Sequence, residues 1–373
     1  MEKLLRTSSI YDILARAEQG ERLGFDDGVR LFRSNDILHI GHIANIVRER
    51  KNGNKAYYIT NRHINYSNIC KNRCKFCAFS RDKEEAGAYA MEMEGIMEKA
   101  VTAVEEGATE LHIVGGLHPD LPFDFYVKML GEIHECCPGV HIQAFTAVEI
   151  EHLSGIANLS VRETLKTLKE AGLGSMPGGG AEVFAPRIRE ELCPEKLSGE
   201  GWLRVMREAH NLGLRSNATM LYGHVETPED RVNHLIRLRE LQDETGGFMS
   251  FIPLAFHPKN TDLSNRYGTT AVLDLKVIAI SRLMLDNFDH IKAFWIMLGV
   301  KLSQVSLCFG VDDIDGTVKE EKITHAAGAE TPEALSAQEI IRLIKEAGRE
   351  PVERDTLYNP VKRRQRDIVL QKA

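Results

Sequence analysis

The segment Cys70-Lys71-Asn72-Arg73-Cys74-Lys75-Phe76-Cys77 carries three cysteines spaced C-x3-C-x2-C, with an aromatic residue directly before the last one. Thiolates are the soft ligands that iron–sulfur clusters and zinc select. A cubane cluster normally takes four cysteines, so three would leave one iron open to a small molecule, as an open position does on catalytic zinc. The spacing therefore predicts a catalytic cluster. A zinc site with a distant fourth ligand and three unrelated core cysteines are the alternatives.

The composition around this segment is that of an ordinary globular protein. The chain has 373 residues, of which 43% are hydrophobic and 27% charged, and its net charge is −7. This charge predicts no general nucleic-acid binding. We find no apolar run of about eighteen residues and no signal-like N-terminus, so we predict a cytoplasmic protein without a membrane partner.

Four of the seven cysteines lie outside the cysteine segment, at positions 136, 137, 193 and 308. An odd number of cysteines and an adjacent pair do not suit a disulfide framework. We interpret these four as free structural thiols in a reducing compartment.

The chain order predicts a barrel. Residues 1–55 show helical periodicity and form a helical preface, and from residue 56 short apolar runs alternate with amphipathic stretches. This alternation predicts parallel strands joined by crossover helices. The eight strand candidates are Ala56–Thr60, Glu110–Val114, Val140–Ala144, Leu173–Met176, Arg215–Met220, Met249–Leu254, Ile291–Ile296 and Leu307–Val311. We predict a complete or nearly complete (β/α)8 TIM-like barrel over residues 56–312.

Two helix starts between these strands are marked by capping residues. Ser160 is followed three residues later by Glu163, and Thr227 precedes Pro228 at the first helical position. After the barrel, residues 313–373 form a helical extension: a loop over 316–330, a helix from Thr331, a polar stretch over 349–359, and about ten frayed terminal residues.

Polar and glycine-rich clusters follow the predicted strands, at the end where barrel enzymes place their chemistry. Each cluster has an ordinary alternative, because glycine pairs are often tight turns and loop histidines are often simply hydrogen-bonded. In strand order the clusters hold Cys70–Cys77, Gly115 with Gly116, Gln143 with Thr146, Gly178–Gly180 with Glu182, Tyr222 with His224, and His257.

The cysteine spacing after the first strand of a barrel resembles the signature of radical S-adenosylmethionine enzymes. The resemblance implies that Cys70, Cys74 and Cys77 hold a [4Fe–4S] cluster whose fourth iron binds S-adenosylmethionine. It also implies that Phe76 flanks the adenine and that Gly115 and Gly116 meet the methionine moiety. Leu117 stands where an acidic residue usually follows the glycine pair in this family.

Longer stretches resemble the futalosine-branch enzymes of menaquinone biosynthesis and their deazaflavin-synthase relatives. Within this group, Phe251–Pro258 is most like the aminodeoxyfutalosine synthases. The stretches that carry the resemblance are Asn65–Arg81, Met176–Glu182, Ala218–His224, Phe251–Pro258 and Glu353–Tyr358.

This resemblance implies that the adenosyl radical adds to 3-[(1-carboxyvinyl)oxy]benzoate, giving 6-amino-6-deoxyfutalosine, methionine and bicarbonate. A flavodoxin or ferredoxin would supply the electron. The cyclising dehypoxanthinylfutalosine synthases and a deazaflavin-synthase activity are close alternatives, and a non-catalytic metal-binding protein is the alternative of another class.

Residue roles follow from the same resemblance and the strand-end clusters. We predict that Glu182 binds the cofactor ribose or amine and that Gln143 and Thr146 also contact the cofactor. We place His257 near the substrate. Further catalytic candidates are Arg81, Tyr222 and His224.

Overall fold

The computed structural model describes residues 8–362, which begin with three helices that pack outside the barrel. These are α1 (Tyr11–Gln19), α2 (Phe25–Arg33) and α3 (Ile37–Asn52). Each buries one face, as its apolar periodicity predicts: Ile13, Leu14 and Ala17 are the buried residues of α1.

A parallel sheet of seven strands forms the central part of the fold, in the spatial order β2-β3-β4-β5-β6-β7-β8. Neighbours in space are also neighbours in sequence, which is the arrangement of a barrel wall. The strands are β2 (Asn61–Ile64), β3 (Glu110–Ile113), β4 (His141–Ala144), β5 (Ser175–Met176), β6 (Arg215–Tyr222), β7 (Phe248–Ala255) and β8 (His290–Ile291).

The two edges of this sheet meet the same segment, residues 313–319. Lys292, just after β8, bridges to Asp313, and Arg62 of β2 bridges to Lys319, both in the parallel sense. The His63 N–H donates to the Lys319 carbonyl at 2.9 Å, and the Ala293 N–H donates to the Asp313 carbonyl at 2.8 Å. The predicted TIM-like barrel is therefore confirmed in its nearly complete form.

A second parallel sheet of three strands, in the order β10-β1-β9, lies next to the barrel. It consists of β1 (Lys55–Ile59), β9 (Asp313–Gly316) and β10 (Glu350–Glu353). The predicted first barrel strand, Ala56–Thr60, belongs to this sheet, and the first strand of the barrel wall is Asn61–Ile64.

The remaining helices cover the barrel and its ends. The Ser160–Glu163 capping box and the Thr227 cap are both present, as predicted. The helices are α4 (Met93–Glu105), α5 (Phe123–Cys136), α6 (Ala147–Ala157), α7 (Val161–Glu170), α8 (Pro186–Leu192), α9 (Gly199–Asn211), α10 (Pro228–Thr245), α11 (Ala271–Met284), α12 (Trp295–Leu298), α13 (Val300–Ser306), α14 (Ile323–Ala326) and α15 (Ala337–Glu346).

The last predicted strand, Leu307–Val311, is wrong. These residues form the turn after α13, and the strand that follows is the acidic Asp313–Gly316. This strand is buried because its charges are paired: Asp313 accepts a hydrogen bond from the Arg354 Nε at 2.6 Å. A charged residue is buried only when an ionic or hydrogen-bonding partner compensates its charge. The partners of this strand come from distant parts of the chain, so the sequence did not predict a buried strand here.

Other predicted boundaries near the C-terminus also differ. Ile291–Ile296 is a strand only at its start, since β8 ends at Ile291 and α12 begins at Trp295. The final helix begins after its capping residue Ser336 rather than at Thr331, and the polar stretch over 349–359 contains β10.

The predicted terminal fraying falls largely on residues 363–373, outside the described residues. The division of the chain at 55/56 and 312/313 stays a prediction. Within residues 8–362, no helix is both long and apolar enough to cross a membrane.

Candidate active site

A cavity of about 330 Å³ lies inside the barrel and opens at the carboxyl ends of its strands. Most of the predicted site residues line it, although they come from the ends of five different strands. They are Cys70, Cys74, Phe76, Cys77, Gly115, Gly116, Gln143, Thr146, Glu182 and His257.

The three cysteines lie on one loop, which follows β2 and is held by backbone hydrogen bonds. The Cys70 N–H donates to the Arg81 carbonyl at 3.1 Å, and the Cys77 N–H donates to the Cys74 carbonyl at 3.0 Å. All three are free, partly buried thiols. Within residues 8–362 no three such side chains converge as ligands of a single metal ion do. A cubane does not require this, because each of its thiolates binds a different iron.

The thiols must lose their protons to bind iron. Burial raises the pKa of the Cys70 thiol, and a hydrogen bond with Cys193 together with burial raises the pKa of the Cys74 thiol. Thiolate ligation by these residues would therefore release protons. Three free thiols on one loop, facing one cavity, fit the cluster that the cysteine spacing predicts.

The glycine pair after β3 packs against the cysteine loop. A Cβ atom on Gly116 would lie 2.2 Å from the Ile69 carbonyl oxygen, and one on Gly115 would lie 2.7 Å from the Tyr66 ring. Real side chains cannot approach backbone this closely, so only glycine fits at Gly116 without a shift. The pair is therefore not an ordinary surface turn.

An ion pair that sequence reasoning missed lies beside the predicted cofactor residues. The Lys196 Nζ lies 2.7 Å from the Glu182 Oε1 and 5.2 Å from the centre of the Phe76 ring. Burial alone would raise the pKa of the Glu182 carboxyl, but the charge and hydrogen bond of Lys196 hold it below its usual value. Both groups are thus charged and face the cavity.

Of the four predicted catalytic residues, only His257 lines the cavity, and its Nε2 lies 2.9 Å from the Met297 carbonyl oxygen. Arg81 is turned to the carbonyls of its own loop, with Nη1 2.9 Å from the Ala78 oxygen. The Tyr222 hydroxyl donates to Asp274 at 2.9 Å, and the His224 Nε2 lies 2.9 Å from the Leu221 carbonyl.

The structure therefore does not bring Arg81, Tyr222 and His224 to the cavity. Each has polar atoms engaged by protein groups, and a catalytic role for these three residues stays a prediction.

The lower part of the cavity, which we call the floor, is lined by polar residues that sequence reasoning missed: His63, Glu110, His112, Lys292 and Asp315. The rings of His63 and His112 stack with their centres 4.4 Å apart. Burial and the neighbouring ring of His112 lower the pKa of His63 well below its usual value, so His63 is neutral. The Lys292 Nζ lies 3.3 Å from the Asp315 Oδ1.

A sequence signal for part of this floor was present. Polar residues alternate along β2 and β3, at Asn61 and His63 and at Glu110 and His112, and alternate residues of a barrel strand point inward. Lys292 lies just after β8, in a predicted strand that in the structure ends at Ile291, and Asp315 lies in a strand that was not predicted.

Comparisons with known proteins agree with this geometry. Residues 64–238 match the family described as the radical SAM superfamily, and residues 245–367 match a "CofH/MqnC C-terminal region". The solved structure of methylornithine synthase covers 96% of this chain and 99% of its own, with a TM-score of 0.74 at 19% identity, which shows a shared fold.

Two curated relatives cover nearly the whole chain. The aminodeoxyfutalosine synthase of Thermus thermophilus is 48% identical over 96% of this chain and 97% of its own. The 5-amino-6-(D-ribitylamino)uracil–L-tyrosine 4-hydroxyphenyl transferase of Methanopyrus kandleri is 40% identical over 91% of this chain and 94% of its own.

The chain therefore belongs to the radical S-adenosylmethionine superfamily, whose members are enzymes that hold a [4Fe–4S] cluster and S-adenosylmethionine. Within that superfamily it is similar over nearly its entire length to aminodeoxyfutalosine synthase, more so than to the 4-hydroxyphenyl transferase above.

Proposed function

We propose that this protein is an aminodeoxyfutalosine synthase acting in menaquinone biosynthesis. It would join the adenosyl group of S-adenosylmethionine to 3-[(1-carboxyvinyl)oxy]benzoate and, with uptake of water, form 6-amino-6-deoxyfutalosine, methionine and bicarbonate. The observation that carries the proposal is the 48% identity to a synthase of this name over 96% of the chain. The 40% identity to a transferase with other substrates makes that activity the second candidate.

The cluster and cofactor site is proposed at the open end of the cavity. Cys70, Cys74 and Cys77 would hold the [4Fe–4S] cluster. When bound, the cluster and S-adenosylmethionine would supply one-electron cleavage of the sulfonium and the adenosyl radical. A low-potential donor such as flavodoxin or ferredoxin would deliver the electron.

The remaining cofactor contacts are proposed from side chains that face this end. Phe76 would lie against the adenine, and Gly115 with Gly116 would allow the methionine moiety to approach the backbone. The Glu182 carboxylate is a suitable partner for the ribose hydroxyls or the amine. Gln143 and Thr146 line the same cavity and are proposed as further cofactor contacts.

The substrate is proposed to occupy the space between this end and the floor. The aromatic and aliphatic residues Ile252, Leu254, Phe256 and Phe294 line the cavity and would exclude water from a reactive radical. His257 is held on the same wall by its contact with the Met297 carbonyl. These walls would fix the alkene within attack distance of the cofactor ribose.

The test is the mass of the product formed under anaerobic conditions. Reduced protein, reconstituted with iron and sulfide, is incubated with S-adenosylmethionine and the enolpyruvyl benzoate. We expect an adenosyl adduct with the mass of 6-amino-6-deoxyfutalosine. Release of free 5′-deoxyadenosine without an adduct would contradict the proposal and favour the cyclising or transferase activity, which can be tested next with their own substrates.

The cluster assignment has its own variant and control. We expect Cys74→Ala to lose most of its iron and all cofactor cleavage, because one of three ligands is gone. Cys308→Ala removes an exposed thiol outside the cavity and should keep both. If Cys74→Ala keeps the iron and the cleavage, the ligand assignment is wrong.

We also propose a cytoplasmic location, because seven free thiols are typical of a reducing compartment.

A further inference from the structure

Helix α6 starts with a capping box whose glutamate also bonds outside its own helix. Thr146 is the capping residue, and its backbone N–H donates to the Glu149 Oε2 at 2.7 Å. In return, the Glu149 N–H donates to the Thr146 Oγ1 at 3.3 Å. This exchange is the usual way in which a helix start satisfies its free N–H groups.

The second oxygen of Glu149 reaches two other parts of the chain. Its Oε1 accepts hydrogen bonds from the Gly115 N–H at 3.0 Å and from the Tyr66 hydroxyl at 2.9 Å. Glu149 is only 3% exposed and lines the cavity. The capping box of α7 differs, because Glu163 is exposed and, among residues 8–362, its carboxylate bonds only Ser160.

The glycine loop that Glu149 holds is itself packed on the cysteine loop. The Gly116 N–H donates to the Ser67 carbonyl at 2.8 Å, and the Lys71 N–H donates to the Leu117 carbonyl at 3.0 Å. Gly116 also packs so closely against Ile69 that there is no space for a side chain between the two loops. One carboxylate thus connects the start of α6, the glycine loop and the chain leading to Cys70.

We propose that Glu149 is a positioning residue that sets the glycine loop relative to the cysteine loop, and so sets where S-adenosylmethionine binds. Three donors, from Thr146, Gly115 and Tyr66, converge on its two oxygens, and each needs an acceptor. A glutamine of the same shape has one acceptor oxygen, so its amino group would face at least one of these donors. The inference rests on the cofactor site of the proposed function.

The test compares Glu149→Gln with the matched variant Glu163→Gln. We expect Glu149→Gln to bind S-adenosylmethionine about tenfold more weakly than wild type in anaerobic equilibrium dialysis, because one hydrogen-bond acceptor oxygen of the side chain is lost. We expect faster hydrogen exchange over residues 114–118 in the cofactor-free protein, which a direct contact alone would not cause. Glu163→Gln should leave both quantities unchanged.

Unchanged affinity in Glu149→Gln would overturn the inference, as would weaker binding without faster exchange over residues 114–118. Should that variant not retain its iron, Tyr66→Phe keeps the carboxylate and removes one donor. We expect a smaller change of the same sign in both quantities, and no change would overturn the inference. Failure of the wild-type protein to bind S-adenosylmethionine would instead contradict the proposed function itself.

Discussion

At the scale of single residues, the site depends on positions where no side chain can be accommodated. Gly116 lies against backbone atoms of the cysteine loop, so an added methyl group would press directly on the Ile69 carbonyl. Backbone atoms cannot shift aside to admit a methyl group, whereas the end of a flexible side chain can. The glycine pair was predicted to contact the cofactor, and the structure adds that it also fixes the loop carrying Cys70.

We therefore predict that Gly116→Ala binds S-adenosylmethionine more than about tenfold more weakly than wild type, since the loop must move to admit the methyl group. Gly131→Ala is the matched control, because Gly131 lies within α5 and an added Cβ there meets nothing within 4 Å. Alanine at Gly131 should stabilise the helix by up to about 1 kcal/mol. Equilibrium dialysis and thermal melts separate the two effects, and normal affinity in Gly116→Ala would contradict the prediction.

At the scale of elements, the loop between β6 and α10 is organised by one buried carboxylate. Glu226 accepts hydrogen bonds from the Gly223 N–H at 2.6 Å, the His224 N–H at 2.9 Å and the Arg231 Nη2 at 2.6 Å. This explains why His224 is turned away from the cavity: it belongs to a network that holds the strand-to-helix connection in place.

The charge of Glu226 predicts a pH dependence of stability. Burial alone would raise the pKa of Glu226, but the hydrogen bond and electrostatic interaction with His224 and the charge of Arg231 lower the pKa to about 2. A pKa that is lower in the folded state stabilises the fold above the unfolded-state value of about 4.5, and this stabilisation, roughly 3 kcal/mol, is lost as the pH falls toward 2.

We predict that Glu226→Gln lowers the free energy of unfolding by about 2–4 kcal/mol at pH 7. The difference from wild type should shrink as the pH falls from 4.5 to 3, because the stabilisation that Glu226 gives the wild-type fold is lost over this range. Glu98→Gln, on the exposed face of α4, should show no such difference at any pH. Denaturant titrations across this pH range test the prediction, and a constant difference would contradict it.

At the scale of the whole molecule, the C-terminal segment ties the small sheet to the barrel through buried charges. The Arg354 Nε and the Tyr358 hydroxyl both donate to the Asp313 Oδ2, at 2.6 and 2.7 Å. The Tyr358 ring stacks on His290 of β8 with ring centres 3.6 Å apart. The segment that closes the barrel is thus held by residues near the end of the chain.

We predict that Arg354→Ala lowers the free energy of unfolding by about 3–5 kcal/mol, because it leaves the Asp313 carboxylate buried without its cation. Arg342→Ala removes an arginine whose side chain is 64% exposed on α15. This change should lower the free energy of unfolding by less than about 1 kcal/mol. Chemical denaturation measures both. Equal effects of the two changes would show that the Arg354 pair does not hold the closing segment.

Much of the fold and part of the site could be predicted because their signals are local. The C-x3-C-x2-C spacing, the Ser160 and Thr227 caps and the alternation of apolar runs each depend on residues close together in the chain. Such patterns determine which segments form helices and strands, and in a parallel barrel they place the strand ends on one side. The cysteine loop, the glycine pair, Glu182 and His257 were found in this way.

Only the tertiary structure decided which polar groups meet. Lys196 pairs with Glu182, Lys292 with Asp315, and Arg354 with Asp313 across long separations in sequence. Whether a charged residue lies in a loop or in a buried strand depends on such distant partners, since burial is tolerated only when the charge is compensated. For the same reason the sequence alone could not show that Tyr222 and His224 bond to protein groups, or that Glu149 connects the glycine loop to the cysteine loop.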